Sequence, residues 1–216
     1  MKTEALAVCV GLPQPFNGAE MSAIDKRPVQ GKATIRRFGI EGDMVADTVH
    51  HGGADMAVHH YARDHYEGWD QWLGGHELLS SPAAFGENVS SRGMTETDVH
   101  IGDRFRFGDA LLEVSQPRQP CWKIEHRFGA KAMVKRIVQH HNCGWYYRVI
   151  EEGEAQAGDV IERVEIGHEM WSVGRLFAKL YDPAHKADIG ELREIASLER
   201  LCDLWRGRVA QAVEGM

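Results

Sequence analysis

Short runs in which apolar and polar residues alternate are spread through the first 165 residues of this chain. The clearest lies at residues 104–114, where two such runs flank Gly108 and Asp109, and this pattern predicts a β-hairpin with a two-residue turn. We also predict strands at residues 5–10, 33–40, 144–150 and 160–165, the last two joined by the polar stretch 151–158. The first part of the chain is therefore expected to be mainly β.

Helical spacing of apolar residues interrupts and then replaces this pattern. Residues 63–73 and 130–140 each place apolar residues on one helix face, and Gly74 and Gly75 end the first. After Gly167 the pattern is helical at residues 171–180, 189–195 and 198–213. We predict an α+β fold with a main domain at residues 1–166 and a small three-helix subdomain at 167–216. Because the subdomain is too small for a large core, it should pack on the main domain or on a second subunit of a homodimer.

Composition and charge exclude several classes of function. With 216 residues the chain is long enough for a full hydrophobic core, and its formal charge of −7 argues against nucleic-acid binding. A small anionic ligand is still compatible, because a pocket can be locally positive. The chain shows neither a secretory signal nor an apolar stretch near the roughly 20 residues of a membrane span, so we expect a cytoplasmic protein without membrane contact.

The four cysteines are far apart, which favours reduced thiols over a disulfide framework or a structural zinc site. Cys121 lies in the loop SQPRQPC at residues 115–121, directly after the predicted hairpin, and two prolines restrict that loop. Arg118 adds a positive charge that favours the thiolate, the form that binds soft metals. The other three cysteines are interpreted as structural. Cys9 lies in a predicted strand, Cys143 lies just before one, and Cys202 lies on an apolar helix face.

Three other segments contain polar residues and glycines: EGD at residues 41–43, HHGGADMAVHHY at 50–61 and FGEN at 85–88. The pair Gly52 and Gly53 permits close approach of the backbone to an anion, although most such pairs are simple turns. Histidines at positions 50, 51, 59, 60 and 65 lack the HExxH spacing, so zinc binding by this segment is disfavoured. Alternation along the strand places His59 and His60 on opposite faces.

The order EGD, HGG followed by AVHHY, FGEN, and then GDRFRFGDALLEVSQPRQPC resembles the MOSC family, named for the carboxy-terminal domain of molybdenum cofactor sulfurases. The resemblance covers nearly the whole chain and extends to bacterial members with a trailing three-helix region. It implies a β-barrel with a cleft for a molybdenum cofactor, and it implies that Cys121 is a ligand of the molybdenum.

Such members are similar to the mitochondrial amidoxime-reducing enzymes, which reduce N-hydroxylated compounds to the parent amine or amidine. The resemblance therefore implies an oxidoreductase for small N-hydroxylated substrates, of the N-hydroxylaminopurine or amidoxime type. The sequence has no GxGxxG fingerprint and no cysteine cluster for an iron–sulfur centre. We therefore expect electrons to come from a separate flavoprotein or another carrier.

A molybdopterin needs a phosphate cradle, polar partners for its pterin and one further soft ligand for the metal. The candidates for the phosphate cradle are His51, Gly52, Gly53 and Arg118. The candidates for polar contacts with the pterin are His60, Tyr61, Glu87, Asn88, Ser115 and Gln116. The candidate for the soft metal ligand is Cys121. Lys26, Arg27, Arg36 and Arg37 add positive potential, with surface solvation expected for at least two of them. We expect His51, Gly52, Gly53, Asn88, Ser115, Arg118 and Cys121 to converge on one concave surface.

Two other functions are compatible with these motifs. Cys121 could carry a persulfide, or hand on molybdopterin, as part of a sulfur or cofactor carrier rather than an enzyme. Alternatively, the terminal helices could form a docking module, for which the net charge favours a protein over a nucleic acid.

Overall fold

A computed structural model describes residues 1–48 and 51–215 of the chain. The strands β1 to β13 are Lys2–Val10, Gln14–Asn17, Glu20–Ser22, Arg27–Pro28, Ala33–Arg36, Gly39–Ile40, Val58–Ala62, Val89–Ser91, Arg104–Phe107, Ala110–Pro117, Trp145–Glu151, Gly153–Ala155 and Val160–Glu165. The helices α1 to α6 are His65–Leu73, Lys123–Phe128, Met133–His140, Val173–Tyr181, Ile189–Ala196 and Asp203–Glu214.

Seven of these strands form a closed barrel in the order β13-β9-β10-β11-β7-β8-β1, and pairing of β13 with β1 completes the circle. Only β7 and β8 run parallel among the described pairs of the barrel, so the sheet is mixed. Strand β4 extends the sheet beside β1, while β5, β6 and β12 form a smaller sheet. The expected α+β fold with a β-barrel is confirmed.

The hairpin β9–β10 shows why the local sequence predicts this part well. Ala110 pairs with Phe107, and the turn between them contains Gly108, whose φ of 54° lies in the left-handed region. A Cβ atom at Gly108 would lie 2.2 Å from the carbonyl oxygen of Glu154, so glycine is required both by the backbone conformation and by the space available. The predicted two-residue turn is confirmed.

Two predictions of secondary structure need correction. Residues 33–40 form two short strands, β5 and β6, because the chain turns at Arg37 and Phe38 and Arg36 pairs back with Gly39. Helix α2 was not predicted at all, because its six residues are too few to show helical periodicity. It begins two residues after Cys121 and so shapes the candidate site.

The terminal helices pack directly on the barrel. Their buried residues, which include Trp171, Phe177 and Trp205, belong to the same continuous hydrophobic core as barrel residues such as Phe105 and Leu112. All eight residues of β10 are buried, and α4 packs against this strand. In the described ranges, no helix has the length and apolar composition needed to cross a membrane.

Candidate functional site

The loop between β10 and α2 presents Cys121 at the surface of the barrel. The backbone N–H of Arg118 donates to the carbonyl of Gly144 at 3.0 Å, which holds the loop against β11. The carbonyl of Cys121 accepts from the N–H of Ile124 in the first turn of α2. Among the four cysteines, Cys121 is the one that is partly exposed, whereas the other three are buried.

The surroundings of Cys121 favour the thiolate. Burial opposes ionisation, but a hydrogen bond with His51 and the positive charge of Arg118 outweigh it and lower the pKa of the thiol from 9.0 to about 7. A backbone N–H from Lys123 contributes in the same direction. The sulfur is therefore about half ionised near pH 7, as a soft metal ligand or a nucleophile requires.

A narrow cavity of about 110 Å³ lies beside this sulfur. Its lining includes five of the residues expected to converge, namely His51, Gly52, Asn88, Arg118 and Cys121. They come from separate segments of the sequence: the loop before β7, the turn before β8 and the loop after β10. Gly53 and Ser115 are not among the described residues that line it.

A second cavity of about 660 Å³ adjoins the first. Both cavities are lined by His51, Gly52, Cys121, Lys123 and Tyr146, so Cys121 lies where they meet. The far wall of the second cavity comes from Leu204, Trp205 and Arg208 of α6. The terminal helices therefore contribute directly to the surroundings of the candidate site.

In the part of the chain that is described, four cationic side chains line the two cavities, against the three carboxylates of Glu20, Asp43 and Asp47, although the whole chain is acidic. Lys26, Arg118 and Lys123 all line the first cavity, and Arg208 lines the second. Of the four additional cations expected to raise the local potential, Lys26 is largely buried, whereas the side chains of Arg27 and Arg36 are mostly exposed. Cations around a cavity of this kind favour an anionic ligand such as a phosphate.

Asp43 and Asn88 form a network beneath the cavity. One carboxylate oxygen of Asp43 accepts from the N–H of Gly11 at 2.7 Å and from the ammonium of Lys26, and the other accepts from Asn88 Nδ2 at 2.9 Å. Asn88 Nδ2 also donates to the carbonyl of Cys9, and Asn88 Oδ1 accepts from the N–H of His59. Since both polar atoms of the Asn88 side chain already have protein partners, its role is to hold the cavity wall in place.

Several other candidate residues lie in the protein interior rather than at the cavity. His60 is enclosed, with Nε2 2.8 Å from Ser91 Oγ and Nδ1 3.1 Å from Tyr147 Oη. Tyr61 Oη accepts a hydrogen bond from Trp69 Nε1 at 2.8 Å, so the Tyr61 side chain packs under α1. These two side chains lie on opposite faces of β7, but both faces are covered, because His60 packs against Trp145 and Tyr61 stacks on Phe85.

Glu87 is fully buried and acts as a local anchor. It accepts hydrogen bonds from the N–H groups of Ala83 and Phe85 and from the hydroxyl of Tyr66, while burial raises its pKa. These bonds fix the turn that carries Asn88, so the influence of Glu87 on the cavity is indirect.

Ser115 and Gln116 differ although they are adjacent. The Ser115 hydroxyl donates to the carbonyl of Asp55 at 2.6 Å and is buried behind the site. Gln116 lines the second cavity, and its Oε1 accepts from the thiol of Cys202. Gly53 has a φ of 85° and precedes a short 3₁₀ helix at Ala54–Met56, so its conformation aids the turn beside the site.

Sequence reasoning did not identify His59, Lys123 or Tyr146 as site residues. Tyr146 pairs with His59 across β11 and β7, and both line the first cavity. Arg118 donates a hydrogen bond to Tyr146 and opposes the rise in its pKa that burial causes. Within the described residues, His59 Nε2 is buried beside Gly144 without a hydrogen-bond partner. Alternation along β7 predicts that His59 and His60 face opposite sides, but it does not indicate which of them faces the site.

Among the described residues, the histidines between positions 51 and 65 do not belong to any group of three potential metal ligands. His65 Nε2 lies 2.6 Å from Glu96 Oε2. His50 lies outside the described residues.

Comparison with known proteins agrees with the barrel and with the sequence motifs. The family model of the MOSC domain matches residues 47–162 of this chain. The chain therefore belongs to the MOSC domain family. Within that family it is YiiM-like: it superimposes on the crystal structure of YiiM from Geobacillus stearothermophilus with a TM-score of 0.82, 29% identity, and coverage of 98% of this chain and 99% of the other.

Two curated relatives extend this result. The protein YflK of Bacillus subtilis is 38% identical over 204 residues, which cover 93% of this chain and 90% of YflK. A protein of Gibberella moniliformis named "Reductase" is 38% identical over 159 residues, which cover 73% of this chain and 28% of that protein. The family predicted from the sequence is thus confirmed.

Proposed function

We propose that this protein is a molybdenum-cofactor oxidoreductase that reduces small N-hydroxylated compounds, such as N-hydroxylated bases or amidoximes, with electrons from a separate flavoprotein or carrier. The observation that carries the proposal is the position of Cys121, a thiol with a pKa of about 7 at the junction of two cavities. The fungal relative named "Reductase" supports a redox function for a domain of this type.

The residues around Cys121 fit a molybdenum cofactor. The thiolate of Cys121 is a soft ligand suited to molybdenum, while Lys26, Arg118 and Lys123 offer cationic partners for a phosphate. The imidazole of His59 and the phenol ring of Tyr146 line the same cavity, where a polar ring system would bind. When bound, the cofactor would supply two-electron redox chemistry at its metal.

In this proposal, residues around Cys121 provide a proton and form the wall of the substrate cavity. In the reaction the N–O bond breaks, two electrons and two protons are taken up, and water leaves with the amine or amidine. His51, hydrogen-bonded to the Cys121 sulfur, is placed to hold a proton beside the reacting centre. Leu204 and Trp205 wall the second cavity, where the substrate would bind, and restrict the entry of water.

The proposal predicts that Cys121→Ser abolishes turnover while the fold survives, because a hydroxyl of similar size is a poor molybdenum ligand. Protein made in a host that synthesises molybdopterin should contain molybdenum and reduce an N-hydroxylated base when an electron donor is supplied. The variant should lose at least about 100-fold in rate, of the order found on removing a key transition-state contact.

Cys143→Ser is the matched control. Cys143 is buried, and its thiol donates to the carbonyl of Gly144, a bond that a serine hydroxyl can keep. It should retain the rate per bound molybdenum. Full activity of Cys121→Ser per bound molybdenum would contradict the proposed ligation.

A sulfur or cofactor carrier is the alternative, and the partial exposure of Cys121 together with its lowered pKa favours it as well. The two functions differ in what the purified protein holds. Stoichiometric molybdenum with donor-dependent reduction supports the enzyme, whereas labile sulfane sulfur on Cys121 without molybdenum supports the carrier.

A further inference from the structure

Three side chains with metal-binding atoms meet where α3 and α4 end. His141 follows α3, Asp182 ends α4, and His185 lies in the next turn. His141 Nε2 and His185 Nδ1 each lie 2.9 Å from the same oxygen, Asp182 Oδ2. The three potential ligand atoms are all within 4.8 Å of one another.

The chain holds these groups in place before any ligand binds. Asp182 is buried, and its second carboxylate oxygen accepts from the N–H of Ala184 at 2.9 Å. The N–H of His185 donates to the carbonyl of Asp182, which closes a tight turn that brings the imidazole back onto the carboxylate. The rings of His141 and His185 stand at 87° to each other with centroids 5.2 Å apart.

We propose that His141 Nε2, Asp182 Oδ2 and His185 Nδ1 bind one divalent transition-metal ion of the zinc class, with water completing the coordination. Two imidazoles and a carboxylate form a ligand set that this class of ion prefers. Around a tetrahedral zinc ion with bonds near 2.05 Å, ligand atoms lie about 3.3 Å apart. The two nitrogens therefore need to withdraw from Asp182 Oδ2 by only a few tenths of an ångström.

Three protein ligands leave one coordination position of the ion to water, and the exposure of the site favours a fastening role over catalysis. More than half of the His185 side chain is exposed, at 56%, so one side of the ion would face solvent rather than an enclosed substrate cavity. His141 lies within the region that matches the MOSC domain, whereas Asp182 and His185 lie beyond it. The ion would thus fasten the terminal helices, which wall the second cavity, to the family domain.

The test is titration of the full-length protein with Co²⁺ after chelation and dialysis, followed by displacement with Zn²⁺. We expect one equivalent of Co²⁺ to bind with the visible bands of nitrogen and oxygen ligation and without a thiolate charge-transfer band. Loss of a residue that only hydrogen-bonds to a metal ligand weakens metal binding by about 10- to 100-fold. His185→Ala and Asp182→Asn alter direct ligands, so each should weaken Co²⁺ binding by about 100-fold or more.

His140→Ala is the control, because His140 is the exposed neighbour of His141 and lies outside the cluster. It should bind Co²⁺ as the parent does. Zn²⁺ should also raise the melting temperature of the parent and of His140→Ala, but not that of His185→Ala. Since His185 is largely exposed, its variant should fold even if Asp182→Asn does not.

Three results would overturn the proposal. The first is equal affinity of the parent and His185→Ala for Co²⁺, and the second is failure of the parent to bind one equivalent, which would show that the cluster is held by hydrogen bonds alone. The third is a thiolate band in the Co²⁺ spectrum that disappears in Cys121→Ser, which would place the ion at Cys121. None of these results depends on the proposed reductase activity.

Discussion

Burial raises the pKa of the thiol at all four cysteines, but only at Cys121 do neighbouring groups outweigh this effect. Burial raises the pKa of Cys9 to about 12 and that of Cys202 to about 11, and it also raises the pKa of Cys143. At Cys121 the hydrogen bond with His51 and the charge of Arg118 reverse the direction of the shift. The lowered pKa of Cys121 therefore depends on two neighbours that are distant from each other in sequence.

We expect the alkylation rate of Cys121 in cofactor-free protein to rise with pH with a midpoint near 7. At that pH about half of the thiol would be ionised, against about one part in a hundred for an unshifted thiol of pKa 9.0. His51→Gln and Arg118→Gln should each move the midpoint upward, because each removes a contact that stabilises the thiolate. Iodoacetamide labelling followed by peptide mass spectrometry measures this profile.

Cys9 is the internal control, because its raised pKa and burial should leave it unlabelled in the folded protein. A midpoint near 9 that does not change in His51→Gln would disprove the proposed cause of the shift.

The lowered pKa of Cys121 also makes the stability of the fold depend on pH. Between about pH 7 and 9 the unfolded thiol binds more protons than the folded one, so the contribution of Cys121 to the free energy of unfolding rises with pH and is lost as pH falls through 7.

Helix α5 is the element that connects the terminal helices to one another. It begins with a capping box in which the N–H of Glu191 donates to Asp188 Oδ1 at 2.9 Å and the N–H of Asp188 donates to Glu191 Oε2 at 3.2 Å. Glu191 also pairs with Lys179 of α4 at 2.8 Å. The cap therefore fixes both the start of α5 and its contact with α4.

We expect Asp188→Ala to lower the free energy of unfolding by about 1 kcal/mol, the usual cost of losing an N-cap. Asp188→Asn is the control, because asparagine is an equally good N-cap and should preserve most of the stability. Urea unfolding followed by circular dichroism measures both variants. Equal loss in the two variants would indicate that the negative charge, rather than the cap, stabilises the helix.

At the scale of the whole molecule, the barrel and the terminal helices share one core and one polar network. Arg148 of β11 donates to Glu113 of β10 at 2.9 Å and to the carbonyl of Arg200 at 3.1 Å. Arg200 in turn pairs with Glu165 and donates to the carbonyl of Gly102. The loop between α5 and α6 is thus attached to three parts of the barrel.

We expect Trp205→Ala to destabilise the entire protein by about 3–5 kcal/mol, because Trp205 is buried in the shared core. Its neighbour Leu204 is half exposed, so Leu204→Ala should change stability by less than about 0.5 kcal/mol. A single cooperative transition, observed both by near-ultraviolet circular dichroism and by protection of barrel amides, is the expected behaviour. Separate unfolding of the terminal helices at unchanged barrel stability would contradict the shared core.

Elements whose formation depends on local chemistry can be predicted from the amino-acid sequence. The hairpin around Gly108, the end of α1 at Gly74 and the helical character beyond Gly167 follow from turn residues and from periodicity within a few positions. The order of the motifs also determined the family and identified Cys121, Arg118, His51 and Gly52 as members of one site. Such features need no knowledge of distant contacts.

Which neighbouring side chains face that site depends on how the whole chain packs. His59 and His60 are equivalent by sequence, yet closure of the barrel buries His60 against Trp145 and turns His59 toward the cavity. Lys26 and Tyr146 join the site from segments that share no motif with Cys121, and α6 supplies a wall from the far end of the chain. These placements depend on the register of strand pairing and on packing between remote elements, because the direction of each side chain is fixed only once the barrel has closed.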